Sequence, residues 1–150
     1  MHIWVDADAC PKAIKQVLFK AAERLAVPLT LVANQYIPTP PSRVIKSVQV
    51  AQGFDVADDA IVERVADGDL VITADIPLAA DVVAKGGTAL NPRGTHYTSE
   101  NIKDYVQRRN RAEEMRAAGV IGSGPTALDK KDVQAFANAL DRILARSVKR

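Results

Sequence analysis

Short apolar runs alternate with stretches of helical spacing along most of the chain. Ile3 to Asp6 reads as a buried strand. Pro11 suits a first helical turn, where its missing N–H costs nothing. Ile14, Val17, Leu18, Ala21, Ala22 and Leu25 then recur at helical spacing, so the pattern predicts an amphipathic helix over 11–26, ended by Val27-Pro28. Leu29 to Ala33 is a second strand, stopped at Asn34. Residues 35–43 hold three prolines and read as loop. Val44 to Val50 is expected to form a short helical turn and then a third strand, broken at Gly53.

In the middle of the chain, Asp58 or a neighbour is expected to cap a helix through Val65 or Ala66. Asp67-Gly68-Asp69 makes a turn, and Leu70 to Thr73 is a strong strand ending at Ala74-Asp75. Pro77 opens a helix through Lys85, which Gly86-Gly87 stops. Thr88 to Leu90 is a further short strand, and Asn91-Pro92-Arg93-Gly94 is a turn. From about residue 98 the chain reads as helical. Thr98 or Ser99 can cap a helix to Ala118, with Gly119 as its stop. Gly122-Ser123-Gly124-Pro125 connects it to a last helix capped by Asp129, with Val133, Phe136, Ala137, Leu140, Ile143 and Leu144 as its stripe. The alternation predicts one α/β domain over 1–150, with a mainly parallel central sheet and helices on both faces.

The chain's 150 residues suffice for a sizeable core, and 47% apolar with 25% charged residues excludes a disordered chain. No apolar run approaches the roughly 20 residues of a membrane span, so no membrane partner is expected. The N-terminus lacks a secretory pattern. Cys10 is the only cysteine, which excludes an internal disulfide and a cysteine-built zinc site and fits a cytoplasmic protein. Residues 1–90 carry 8 Lys/Arg against 11 Asp/Glu, a net −3, and residues 91–150 carry 12 against 7, a net +5. The basic part could hold a polyanion against an acidic site.

Acids fall at three corresponding places. Asp6 and Asp8 follow the first strand, Asp58, Asp59 and Glu63 lie in the middle helix, and Asp75 follows the strand Leu70–Thr73. Parallel strand ends share one edge, so Asp6, Asp8 and Asp75 can converge there, where open α/β sheets bind ligands. Asp59 and Glu63, four apart, share a helical face. Convergent carboxylates call for a cation, and oxygen ligands favour Mg²⁺ or Mn²⁺. Each acid has a plainer alternative: Asp8, Asp58 and Asp59 can be helix caps, Glu63 can be solvated, and Asp81 reads as an exposed helix residue. Candidate phosphate partners are Arg43 and Lys46 beside the proline-rich loop, Arg93 in a strand-end turn, and Arg108, Arg109 and Arg111 on one helix. Arg109 can instead pair with an acid. Asn34 and Asn91 end strands and could orient water or substrate, or simply make turns.

The motifs Ile3-Trp4-Val5-Asp6-Ala7-Asp8-Ala9-Cys10-Pro11, Asp55-Val56-Ala57-Asp58-Asp59-Ala60-Ile61 and Asp69-Leu70-Val71-Ile72-Thr73-Ala74-Asp75-Ile76-Pro77-Leu78-Ala79 resemble the bacterial YaiI/YqxD family. Asn91-Pro92-Arg93-Gly94, Tyr97, Asn101-Ile102 and Arg108-Arg109 extend the resemblance to nearly the whole chain. The resemblance implies a three-layer sandwich similar to PIN-like nuclease domains, with divalent-metal cleavage of RNA or DNA. Asp6, Asp59 or Glu63, and Thr73-Ala74-Asp75 occupy the matching places. Many PIN-like domains carry a further acid where this chain has Ile76-Pro77, and Asp8 could compensate.

Three readings follow. The first is a nuclease using Asp6, Asp8, Asp59 and Asp75, with Glu63 as a further metal ligand and Thr73 at the substrate. The second is a nucleic-acid-binding module with a decayed site. The third is a phosphatase similar to the haloacid dehalogenase superfamily, with Asp6 as nucleophile and Asp8 as acid/base. Cys10 and the lack of a later Gly-Asp-x-x-x-Asp motif depart from that superfamily.

Overall fold

The structure is a computed structural model that describes residues 1–53, 55–117 and 127–148. Its elements are β1 (Ile3–Asp6), α1 (Lys12–Leu25), β2 (Leu29–Ala33), β3 (Ile45–Gln49), α2 (Val56–Arg64), β4 (Leu70–Ile72), α3 (Ile76–Ala84), β5 (Thr88–Leu90), β6 (His96–Tyr97), α4 (Ile102–Ala117) and α5 (Lys130–Val148). One turn of 3-10 helix, Ala7–Ala9, links β1 to α1.

The six strands form one sheet in the order β3-β2-β1-β4-β5-β6. All pairs are parallel except β5 with β6. Burial on both faces explains β2, whose five residues are all buried. Ile3 and Val5, with Leu31, Leu70 and Ile72, pack against Ile14 and Leu18 of α1 and against Phe136, Leu140 and Leu144 of α5. Val32 and Val71 face the other way, toward Ile61 of α2 and Leu78 and Val82 of α3. Tyr97 and Ile102 join Ala79 and Ala89 in a third cluster that brings α4 onto α3 and β5. The molecule is therefore a three-layer α/β sandwich, with α1 and α5 on one face of the sheet and α2, α3 and α4 on the other. Lys46 and Gln49 are exposed on β3, at the sheet's border, and a charge there discourages pairing with another strand.

Local chemistry moves several boundaries. Pro11 is the N-cap of α1 rather than a helical residue. Residues 41–44 form bends rather than a helical turn before β3. Neither Thr98 nor Ser99 caps α4, which starts at Ile102. Asn101 ties the entry instead: its Oδ1 accepts the Thr98 N–H at 2.8 Å and its Nδ2 donates to the His96 carbonyl at 2.9 Å. Asp129 does cap α5, accepting the Asp132 N–H at 2.9 Å. Strand β6 was not expected from the sequence. The proposed end of α4 at Ala118-Gly119 and the Gly122–Pro125 connection lie outside the described residues.

Candidate functional site

The chain winds from β1 out to β3, then returns to β4 beside β1 and winds the opposite way. That reversal opens a crevice at the carboxyl ends of β1 and β4, where doubly wound sheets place ligands. Asp6 is the last residue of β1, and Thr73 follows the last residue of β4. Thr73 is buried, and its hydroxyl donates to Asp6 Oδ2 at 2.9 Å. The same hydroxyl oxygen accepts the Asp75 N–H at 3.0 Å. Asp75 is the N-cap of α3, its Oδ1 accepting the Leu78 N–H at 2.9 Å, with Pro77 in the first turn. Thr73 thus ties the end of β1 to the start of α3.

Asp58 completes the cluster from α2. Its carboxyl is pushed up to about 6, first by burial and then by the charges of Asp6, Asp75, Asp55 and Asp59. Asp6 is also raised, first by burial, against the Thr73 hydrogen bond that lowers it, with Asp75 and Asp8 raising it further. Among the described residues, the three ion pairs are Arg24–Asp141, Arg93–Asp132 and Arg109–Glu113, none of which reaches Asp6, Asp58 or Asp75. Among the described residues, the crevice therefore concentrates negative charge with no ion-paired cation at Asp6, Asp58 or Asp75.

The other candidates take different places. Asp8 is exposed and accepts the Asn34 N–H at 2.7 Å, so it ties β1 to β2 and does not cap α1, which has no side-chain cap. Asn34 in turn donates from Nδ2 to the Ala51 carbonyl at 3.0 Å. Asp59 and Glu63 are exposed, and α2 is preceded by Asp55 in a left-handed conformation, with no side-chain capping bond. Asp58 and Asp59 are therefore not caps. Asp81 is exposed on α3. Arg43 precedes β3 and Lys46 is its second residue, which places both toward the amino ends of the strands, away from the acids. Arg93 pairs with Asp132 of α5 at 2.7 Å. Arg108 lies over the Tyr105 ring, 5.1 Å from its centroid, and Arg109 pairs with Glu113 of its own helix. Asn91 builds the turn, its Oδ1 accepting the Arg93 and Thr95 N–H groups. Asn91 and Arg93, with Ala9, Ala74 and Pro92, also line a cleft of about 390 Å³ next to the acids. Cys10 is buried, and burial pushes its thiol up to about 12, so it is no nucleophile at neutral pH.

Sequence reasoning singled out Asp59 in α2, whereas the residue coupled to Asp6 and Asp75 is Asp58. A signal was available. Buried Ala57, Ala60 and Ile61 define the inner face of α2, and Asp58 borders it three residues before Ile61.

The donor set suits a hard cation, since every group is a carboxylate or hydroxyl oxygen. Among the described residues, no three His, Cys, Asp or Glu side chains are grouped to hold a metal ion by themselves. Mg²⁺ is commonly held by one or two carboxylates, with water and substrate phosphates completing its shell. Asp6 and Asp75 fit that smaller requirement: in each, one oxygen is fixed by the bonds above and the other is not used by them.

Among the described residues, no helix is long and apolar enough to cross a membrane. Residues 4–146 match the model of the "Uncharacterized BCR, YaiI/YqxD family". A UPF0178 protein of Halorhodospira halophila is 63% identical over 146 residues, covering 97% of each chain. A UPF0178 protein of Janthinobacterium sp. is 60% identical over 146 residues, again covering 97% of each. One from Yersinia enterocolitica is 56% identical over 149 residues, covering 99% of this chain and 98% of its own.

Proposed function

The chain belongs to the YaiI/YqxD family, and from that premise we propose that its crevice acids form the centre of a divalent-metal-dependent nuclease acting on RNA or DNA. The observation that carries this reading is the group Asp6, Asp58 and Asp75 at the winding reversal, mutually repelling, with Asp6 and Asp75 joined through Thr73. Asp6 and Asp75 would hold the Mg²⁺ or Mn²⁺, with Asp58 close by on α2. When bound, such an ion supplies charge neutralisation at a phosphodiester and a water of lowered pKa. Thr73 fixes the rotamer of Asp6, and the Leu78 N–H fixes that of Asp75.

The test is cleavage of labelled single-stranded RNA and DNA with Mn²⁺, Mg²⁺ or a chelator. The reading expects metal-dependent cleavage, abolished by Asp6→Asn and by Asp75→Asn in variants whose fold is intact by circular dichroism. Cleavage that survives both substitutions overturns it. A second reading, nucleic-acid binding without turnover, is favoured by Ile76-Pro77, which continue the backbone into α3 where a further acid would stand. It expects salt-sensitive binding and no metal-dependent products.

A further inference from the structure

We propose that the cavity at the amino ends of the strands is a binding site for a phosphate group, held by His96 and Arg146. Gly68 and Thr88 mark the cavity's position, since one precedes β4 and the other begins β5, opposite the acidic crevice. His96, Thr98, Arg146 and Ser147 complete its polar wall. Its volume is about 270 Å³. That falls just below the roughly 300–1,000 Å³ of common small-molecule pockets and suits a compact end group.

The hydrogen bonds fix how the imidazole is used. The Thr88 hydroxyl donates its one proton to the Tyr97 carbonyl at 3.1 Å. The 2.6 Å contact between Thr88 Oγ1 and His96 Nε2 is then donated by the imidazole. Nδ1 remains as the nitrogen that can gain a proton and offer it to an anion. Burial lowers the pKa of that ring, and the charges that add to the effect among the described residues are Arg146 and Arg142, both from α5. Arg142 and Arg146 are one helical turn apart, and neither belongs to an ion pair among the described residues. An anion seated between the ring and Arg146 offsets the positive charge of α5 and weakens the repulsion that opposes protonation of His96. Guanidinium groups match phosphate oxygens in geometry as well as in charge. The site does not depend on chemistry at the acidic crevice, so Asp6→Asn leaves it intact.

The chain has only two histidines, which makes the test direct. His2 is the internal control: it stacks on Trp4 with 4.0 Å between ring centroids and its Nε2 meets Thr30 Oγ1 at 2.8 Å. Imidazole ¹⁵N signals are followed by NMR while inorganic phosphate replaces chloride at constant ionic strength. Saturable movement of His96 with a rise in its pKa, and a stationary His2, supports the site. The Arg142→Ala/Arg146→Ala double variant, folded by circular dichroism, should lose the response, while the double Lys variant retains part of it. Equal movement of both histidines, no saturation, or full response in the double Ala variant overturns the proposal. Competition by a 5′-phosphorylated trinucleotide but not by its dephosphorylated form supports the site with a nucleic-acid end as the phosphate source. Response to inorganic phosphate alone supports it with a free phosphate source.

Discussion

Asp58 and Asp69 show how differently two acids beside one sheet can be used. Burial and four neighbouring carboxylates raise Asp58 to about 6 from an ordinary 3.8. A raised folded-state pKa means that the folded state binds the extra proton. Its stabilising contribution is present below about pH 4 and is lost as pH rises through about 6. In a chelator, thermal unfolding followed against pH should therefore show Asp58→Asn matching the wild type near pH 4 and melting higher at pH 7. Solvent screening of this half-buried group keeps the gain modest; parallel curves would contradict the coupling. Asp69 is buried, and its oxygens accept the His2 N–H, the Trp4 indole N–H and the Ala66 N–H. Each donor left without an acceptor costs about 1–3 kcal/mol, so Asp69→Ala should lower urea stability by several kcal/mol. Thr73→Val should act differently, weakening Mn²⁺ binding by about 10–100-fold through loss of the bond that orients Asp6. That Asp6 and Asp75 meet at one edge was legible in the sequence because each follows an apolar strand and parallel packing gathers strand ends. The approach of Asp58 to them was not, because it depends on the rotational phase of α2. The left-handed turn at Asp55, φ 64°, and contacts distant in sequence set that phase.

At the scale of elements, α5 contributes to the core as much as to the surface. Phe136 is fully buried among residues of the first cluster, so Phe136→Ala should cost about 3–5 kcal/mol, read from urea unfolding. Gly94 shows why the turn after β5 is specific. Its φ is 95°, and a Cβ there would stand 2.8 Å from the Ala135 backbone carbon of α5. Gly94→Ala should destabilise by about 1–3 kcal/mol through overpacking against backbone that cannot swing aside. The apolar periodicities located most helices and the five parallel strands. They missed β6, because two residues have no period, and they misplaced the start of α4. Asn101 secures that start through bonds to Thr98 and His96, which a search for Ser or Thr caps passes over.

For the whole molecule, the sheet order gives the acids their meaning. Strand alternation alone predicted parallel pairing and two covered faces, and the structure has both. The reversal beside β1 is a property of the complete topology. The two ends of the sheet differ in character: acids at the carboxyl ends, and His96 with Arg146 at the amino ends. The charge asymmetry between the two parts of the sequence was legible, but which end of the sheet each charged residue occupies was not. Arg93 pairs with Asp132 while lining the cleft next to the acids, whereas Lys46, a candidate phosphate partner, is set by its strand register at the amino end of the sheet. Under the proposed function, Asp6 and Asp75 bind a divalent cation in the crevice. Anomalous diffraction from crystals soaked in Mn²⁺ should show one strong peak bonded to the Asp6 and Asp75 carboxylates, absent in Asp6→Asn crystals; peaks confined to other surfaces, or none at saturating Mn²⁺, would overturn that function.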